Sequence, residues 1–183
     1  MSLGSRAHHR FTVNEYDEMI ARGILNENDR VELIRGEIVN RMTIGDRHAA
    51  CVNRLNALFH SLVRGHWIVS VQNPVAFDDS KPEPDIALLR PRDDYYSEGT
   101  PQPSDILLVI EVADSSLDFD RDTKVALYAE AGIPEYWIVN LIDNCVEVHR
   151  GPKADGSYAD CQRVSKGGAI SLLGEEIAVD QFL

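Results

Sequence analysis

The sequence predicts an α/β or α+β domain, with a central set of strands flanked by helices. Three observations carry that reading. Short apolar runs alternate along the chain with two longer segments of helical period. Helix caps and glycine stops bracket those segments. One run, Ile106 to Ala113, is apolar at nearly every position, as in a strand covered on both faces. The 183 residues suit one domain with a real core, and no internal repeat or low-complexity linker divides them. Residues 1–11 read as a flexible N-terminus and 12–183 as a single domain.

Taken in order, Thr12-Val13-Asn14-Glu15 is a capping box that opens a short helix stopping at Gly23. Val31 to Asn40 reads as a β-hairpin turning at Arg35-Gly36. A two-residue turn puts Val31, Leu33 and Ile38 on one face, and Glu32, Ile34, Glu37 and Val39 on the other. Asp46 reads as the N-cap of a helix from about Arg47 to Arg64, with Gly65 beyond it. Its apolar stripe is Val52, Leu55, Leu58, Phe59 and Leu62, and His48 falls in its first turn. Strands follow at Trp67 to Phe77, Asp85 to Arg90 and Ile106 to Ala113. Between the last two, Pro91 to Pro103 is a loop. Its acidic tip, Asp93 to Glu98, reads as solvated surface whose two tyrosines pack rather than stack on a ligand. A helix from about Asp120 to Ala131 ends at Gly132. Glu135 to Leu141 is a buried strand, paired through a tight turn near Asp143 with Asn144 to Arg150. From Tyr158 on, the chain reads as short edge strands.

Composition narrows the function. No run of about eighteen apolar residues exists, so no membrane partner is expected, and Met1 to Arg10 lacks the apolar centre of a signal peptide. Cys51, Cys145 and Cys161 are widely spaced, without a CxxC pair, which fits small buried hydrophobes in a reducing cytoplasm. The net charge of −12 opposes long-range attraction of nucleic acid. Any nucleic-acid site must therefore rely on local cations.

Two carboxylates stand where apolar residues belong. Glu111 interrupts Ile106-Leu107-Leu108-Val109-Ile110-Glu111-Val112-Ala113, where a charge is costly unless paired, protonated or bound to metal. A buried ion pair or a solvated strand end explains it equally well. Asp85 opens Asp85-Ile86-Ala87-Leu88-Leu89 after Pro84, and Pro-Asp is also a common turn pair. Two such acids on neighbouring strands can hold one hard divalent cation. Asp120 reads as a helix cap, with Lys124 one turn further on the same face, followed by Tyr128 and Ala131. A surface salt bridge between Asp120 and Lys124 is the ordinary alternative. A carboxylate pair with a lysine suits phosphodiester hydrolysis: a metal activates water, and the lysine supplies compact positive charge.

Pro84-Asp85, Glu111-Val112-Ala113 and Lys124 together resemble the PD-(D/E)XK nuclease superfamily. More closely, the chain resembles the large bacterial Uma family of restriction-endonuclease-like proteins. The matching stretches are Arg30 to Ile38, Gly45 to His48, Glu83 to Ile86, Val109 to Val112, Asp120-Arg121 with Lys124, and Ala131 to Val139. They run in order from about Thr12 to Arg150. The superfamily pattern places lysine two residues after the second acid, where this chain has Ala113. Lys124 on the next helix is its replacement if that helix points back at the strand ends.

The resemblance implies the restriction-endonuclease-like fold, a central mixed β-sheet flanked by helices. It implies Asp85 and Glu111 as ligands of Mg²⁺ or Mn²⁺, with a carbonyl near Val112 beside them. It places Glu37, or failing that Glu32, near the site. His48 either contacts phosphate and orients water or serves the helix structurally. The implied function is a metal-dependent endonuclease that hydrolyses DNA through a metal-activated water. The alternatives are a non-catalytic nuclease-like scaffold and a hydrolase of another phosphoester. Late edge strands and the apolar Tyr136-Trp137 strand suit a homodimer.

Overall fold

The computed structural model describes residues 8–26, 28–62 and 65–183. The expected flexible N-terminus lies partly outside that range, as does the expected helix end at Arg64. The architecture is mixed α and β, as the patterning requires, and the chain divides into two compact units.

The smaller unit comprises the segment ending at Arg41 together with Ala76–Pro82. Helix α1 (Val13–Ala21) starts from the Thr12 capping box, in which Thr12 and Glu15 each bond the other's backbone N–H. Strands β1 (Val31–Ile34) and β2 (Glu37–Asn40) form an antiparallel hairpin. Leu33 pairs with Ile38 and Glu32 with Val39, the faces expected from a two-residue turn. Arg35 (φ 50°) and Gly36 (φ 76°) make that turn. A side chain at Gly36 would also meet Arg10 Cβ at 2.7 Å. Segment 76–82 returns to the hairpin: Lys81 N–H donates to the Leu33 carbonyl (2.7 Å) and Gly36 N–H to that of Asp79 (2.8 Å).

The larger unit comprises Met42–Val75 and Glu83–Leu183. Helix α2 (Asp46–Leu62) begins at Asp46 itself, so this residue is an acid of the first turn rather than the cap. Six strands follow: β3 (Ile68–Val71), β4 (Ile86–Leu89), β5 (Ile106–Ala113), β6 (Glu135–Asn140), β7 (Cys145–Pro152) and β8 (Tyr158–Ser165). They form one sheet in the order β3-β4-β5-β6-β7-β8, parallel between β5 and β6 and antiparallel elsewhere. The parallel pair is the consequence of the helical crossover between them.

The strand expected over Trp67 to Phe77 ends at Val71. Gln72 takes a left-handed conformation (φ 51°) and Pro74 cannot donate to a ladder. The crossover helix begins earlier than expected. Short α3 (Leu117–Phe119) runs through a π-type turn at 120–124 into α4 (Val125–Glu130). Asp120 is therefore a buried residue inside the helical run and not its cap. A separate hairpin, β9 (Ala169–Leu172) with β10 (Glu175–Ala178), closes the chain.

Alternation sorts each central strand onto two faces. One face carries Ile86, Leu88, Leu108, Ile110, Val112, Trp137, Val139, Val146 and Val148. With Cys51, Val52, Leu55 and Phe59 of α2 and Ile170, Leu172 and Ile177 of the hairpin, these make one core. Glu111 necessarily belongs to the other face, with Tyr136, Asn140, Glu147 and His149. Cys161, expected to be buried, is exposed on edge strand β8, where its Sγ lies 3.8 Å from His149 Nε2.

Phe59 is fully buried with its ring 6.2 Å from that of Trp137. Phe59→Ala should destabilise the protein by about 3–5 kcal/mol. The check is a lower urea midpoint at unchanged slope.

Candidate functional site

The irregular end of β3 is where the site begins. At the left-handed Gln72 the chain turns away from the sheet, yet its N–H still bonds the Asp85 carbonyl at 3.2 Å. Its side-chain amide then donates to Asp85 Oδ1 at 3.1 Å. Asp85 stands one residue before β4, beside β5, so the Val112 N–H reaches Asp85 Oδ2 at 2.9 Å. His48, in the first turn of α2, brings Nε2 to the same oxygen at 2.9 Å. Three segments thus converge on one carboxylate that is 6% exposed.

These contacts set the charge states. Burial pushes the Asp85 carboxyl upward, but His48, the Val112 N–H and Gln72 together outweigh it and hold Asp85 below its ordinary value. For His48, burial disfavours the cation. The Asp85 hydrogen bond and charge, with Glu111 and Asp114 adding, overcome this and raise its pKa. His48 Nδ1 is buried and has no hydrogen-bond partner among the described residues.

Glu111 is the second carboxylate, 7% exposed in the middle of the sheet. Its Oε2 accepts a 3.4 Å bond from the Asp85 N–H, which makes the two acids neighbours across β4 and β5. Its Oε1 accepts from Lys124 Nζ at 2.9 Å and from the Tyr128 hydroxyl at 2.8 Å. The Lys124 side chain is 4% exposed, so this ion pair is a buried one. Lys124 therefore pairs with the strand from within the fold, and Asp120 is buried as well.

The π-type turn explains how one short helix serves two partners. The Val125 N–H reaches back to the Asp120 carbonyl, which inserts an extra residue into the turn. Lys124 and Tyr128, four apart, both come onto Glu111. Arg121, one residue after Asp120, is directed instead at Glu147, which it grips through two guanidinium nitrogens. Asp120 itself accepts from Ser116 Oγ at 2.6 Å.

Asp85, Glu111, Lys124 and His48 are thus brought together in the larger unit. Glu37 belongs to the smaller unit, where it is exposed and paired with Arg10 at 3.1 Å. Glu32 is a buried residue of the same hairpin. Sequence reasoning missed Gln72 and Tyr128. Tyr128 was legible as the next residue on the Lys124 face; nothing local marks Gln72, because its left-handed backbone depends on the turn into Asn73 and Pro74.

Two adjacent buried carboxylates are hard oxygen donors of the kind Mg²⁺ and Mn²⁺ take, so the donor chemistry fits a divalent cation. Among the described residues no group of three His, Cys, Asp or Glu is arranged to hold a metal. A cation held by Asp85 and Glu111 would complete its shell from main-chain carbonyl, water and phosphate oxygens.

Residues 13–179 match the Uma2 family, described as "putative restriction endonuclease". No curated protein matches the chain. A crystal structure of a "putative nuclease belonging to DUF820" from Anabaena variabilis ATCC 29413 shares the fold, with a TM-score of 0.70 at 14% identity. The match covers 94% of this chain and 97% of that one.

The Asp85–His48 pair yields a pH prediction. Asp85 contributes stability above its ordinary 3.8 and loses it as pH falls through its lowered folded value. His48 contributes below its ordinary 6.5 and loses it as pH rises through its raised folded value. In Asp85→Asn, burial is left to act on His48 with less opposition. Its NMR titration midpoint should fall, toward or below 6.5. An unchanged midpoint would refute the pairing.

Proposed function

The chain belongs to the Uma2 family, and on that footing we propose that it is a metal-dependent nuclease hydrolysing DNA phosphodiester bonds. The observation that carries the reading is the pair of buried carboxylates, Asp85 and Glu111, with Lys124 on one and His48 on the other. Burying two acids and a lysine together costs several kcal/mol that an apolar trio would avoid. A fold needs no such group for stability, whereas phosphodiester hydrolysis does.

Asp85 and Glu111 would hold Mg²⁺ or Mn²⁺, with the main chain at Val112 beside them. When bound, the cation lowers the pKa of its water and offsets charge on the phosphate. The protein's own groups do the rest. Gln72, the Val112 N–H and His48 fix the Asp85 carboxylate, so its oxygens need no reorganisation as substrate enters. Tyr128 and Lys124 fix Glu111 in the same way. Lys124 supplies the positive charge that meets the developing oxyanion, taking the part of the lysine absent at Ala113. Asp85 raises the pKa of His48, and in its protonated form His48 would offer Nδ1–H to a phosphate oxygen. Glu37 has no part in this scheme.

One observation favours a non-catalytic scaffold instead: Asp85 already has three donors from within the protein. Calorimetry separates the readings, since a scaffold would take up no Mn²⁺ or Mg²⁺ at millimolar metal.

The test is cleavage of plasmid and single-stranded DNA with Mn²⁺ or Mg²⁺ at low salt. Asp85→Asn and Glu111→Gln should abolish cutting while circular dichroism stays native. Lys124→Ala should lose roughly 100-fold or more in rate. Removing this lysine also strands a buried carboxylate, so its thermal midpoint should drop, corresponding to about 3–5 kcal/mol. Full activity in Asp85→Asn would sink the assignment.

A further inference from the structure

The loop between β4 and β5 carries two tyrosines that behave differently. Tyr96 packs: its hydroxyl donates to the Arg90 carbonyl at 2.8 Å, and the Arg92 guanidinium lies 4.4 Å above its ring. Tyr95 does not; it is 75% exposed, against the expectation that both would pack. Both are left-handed, at φ 50° and 63°, a conformation bulky residues adopt only when their surroundings hold them there. The holding groups are the Tyr96 contacts, the two-point Arg92–Asp94 pair (2.9 and 2.6 Å) and the Tyr95 N–H on the Arg92 carbonyl (3.1 Å). An exposed aromatic ring is therefore presented on a braced loop.

That ring stands between two concavities of about 570 and 820 Å³, both lined by Tyr95, Ile68 and Val69. Ile68 and Val69 belong to β3, the edge strand of the sheet. The larger concavity is also lined by Trp67, which is 4% exposed and whose indole Nε1–H has no partner among the described residues. The smaller concavity extends to Asn73 and Pro74, directly after Gln72, whose amide holds Asp85. The register pairs Ile68 with Leu89 and Val71 with Ile86, so the groove and Asp85 lie along the same strand pair. From Asp85 to Leu89 is on the order of 13 Å.

A flat ring suits the exposed Tyr95 face, and an unpaired nucleobase presents one. The larger concavity is also lined by Arg92, a local cation for the strand's phosphates, beside Asp93, and Arg92 pairs with Asp94. We infer that the β3 groove binds an unpaired base of a single DNA strand on Tyr95, delivering that strand to the Asp85–Glu111 site. The inference rests on the nuclease reading for its substrate. It makes the preferred DNA single-stranded or locally opened, because a paired base cannot offer its face to Tyr95.

The test is binding of fluorescein-labelled oligothymidylate to the whole protein with EDTA present, so that nothing is cut. Anisotropy should show tighter binding of the single strand than of a duplex of equal length. Tyr95→Ala should weaken it roughly 5- to 150-fold, and Tyr95→Phe should retain it. The resonances of Trp67, which lines the larger concavity, should move on binding. Equal affinity for duplex, no effect of Tyr95→Ala, or a free mononucleotide competing as well as the strand would each overturn the inference. Tyr95-dependent binding by a protein that cuts nothing with metal would uphold the groove and refute the nuclease reading. Cutting unaffected by Tyr95→Ala would do the reverse.

Discussion

Glu111 sits in the middle of a strand covered on both faces, and a carboxylate at that depth persists only with strong donors around it. The crossover between β5 and β6 provides them. Its helical run passes over the face of the sheet that carries Glu111, and Lys124 and Tyr128 come down on a single oxygen. The π-type turn lets the same run also hold Arg121 against Glu147. Remove the need to satisfy Glu111, and neither the buried lysine nor the irregular helix has a physical reason to exist.

Asp85 is solved differently. It lies at a strand end rather than within one, so its donors come from segments distant in sequence: His48 from α2, Gln72 from the end of β3, and the Val112 N–H from β5. Its neighbour Glu111 is held by a lysine and a phenol, while Asp85 is held by an imidazole, an amide and the backbone. Two adjacent acids are thus held by separate sets of donors. Local cations of this kind reconcile the proposed phosphodiesterase site with a net charge of −12. Their influence is short in range, so under that proposal they would act on substrate already docked.

Much of the site was legible because its oddities are local. A charge inside Ile106 to Ala113 and an acid at the head of Ile86 to Leu89 break a pattern that the rest of each strand obeys. The Thr12 capping box, the Arg35-Gly36 turn and the α2 stripe were legible for the same reason: each is encoded within a few residues. The errors have a shared cause too. Asp46 and Asp120 both carry the chemistry of a cap, yet both lie inside their helices, since cap preference is weaker than the packing that sets a helix's start. Gln72 ends β3 early through a left-handed backbone that no side-chain preference announces. Tyr95 and Tyr96 are adjacent and identical, and only the arrangement around Arg92 decides which one packs.

The sequence by itself determined the alternation of strand and helix, the order of the central strands' apolar faces, and the presence of two carboxylates that demand compensation. Those properties follow from local hydrophobic period and from the cost of burying charge, both readable in one dimension. Only the tertiary structure decided the partners. Which oxygen meets Lys124, that Gln72 and Tyr128 complete the two carboxylates, and that Glu37 lies in a separate unit all depend on strand register and on the turn of one helix. Those are set by contacts between residues 13–37 positions apart, where local pattern carries no information.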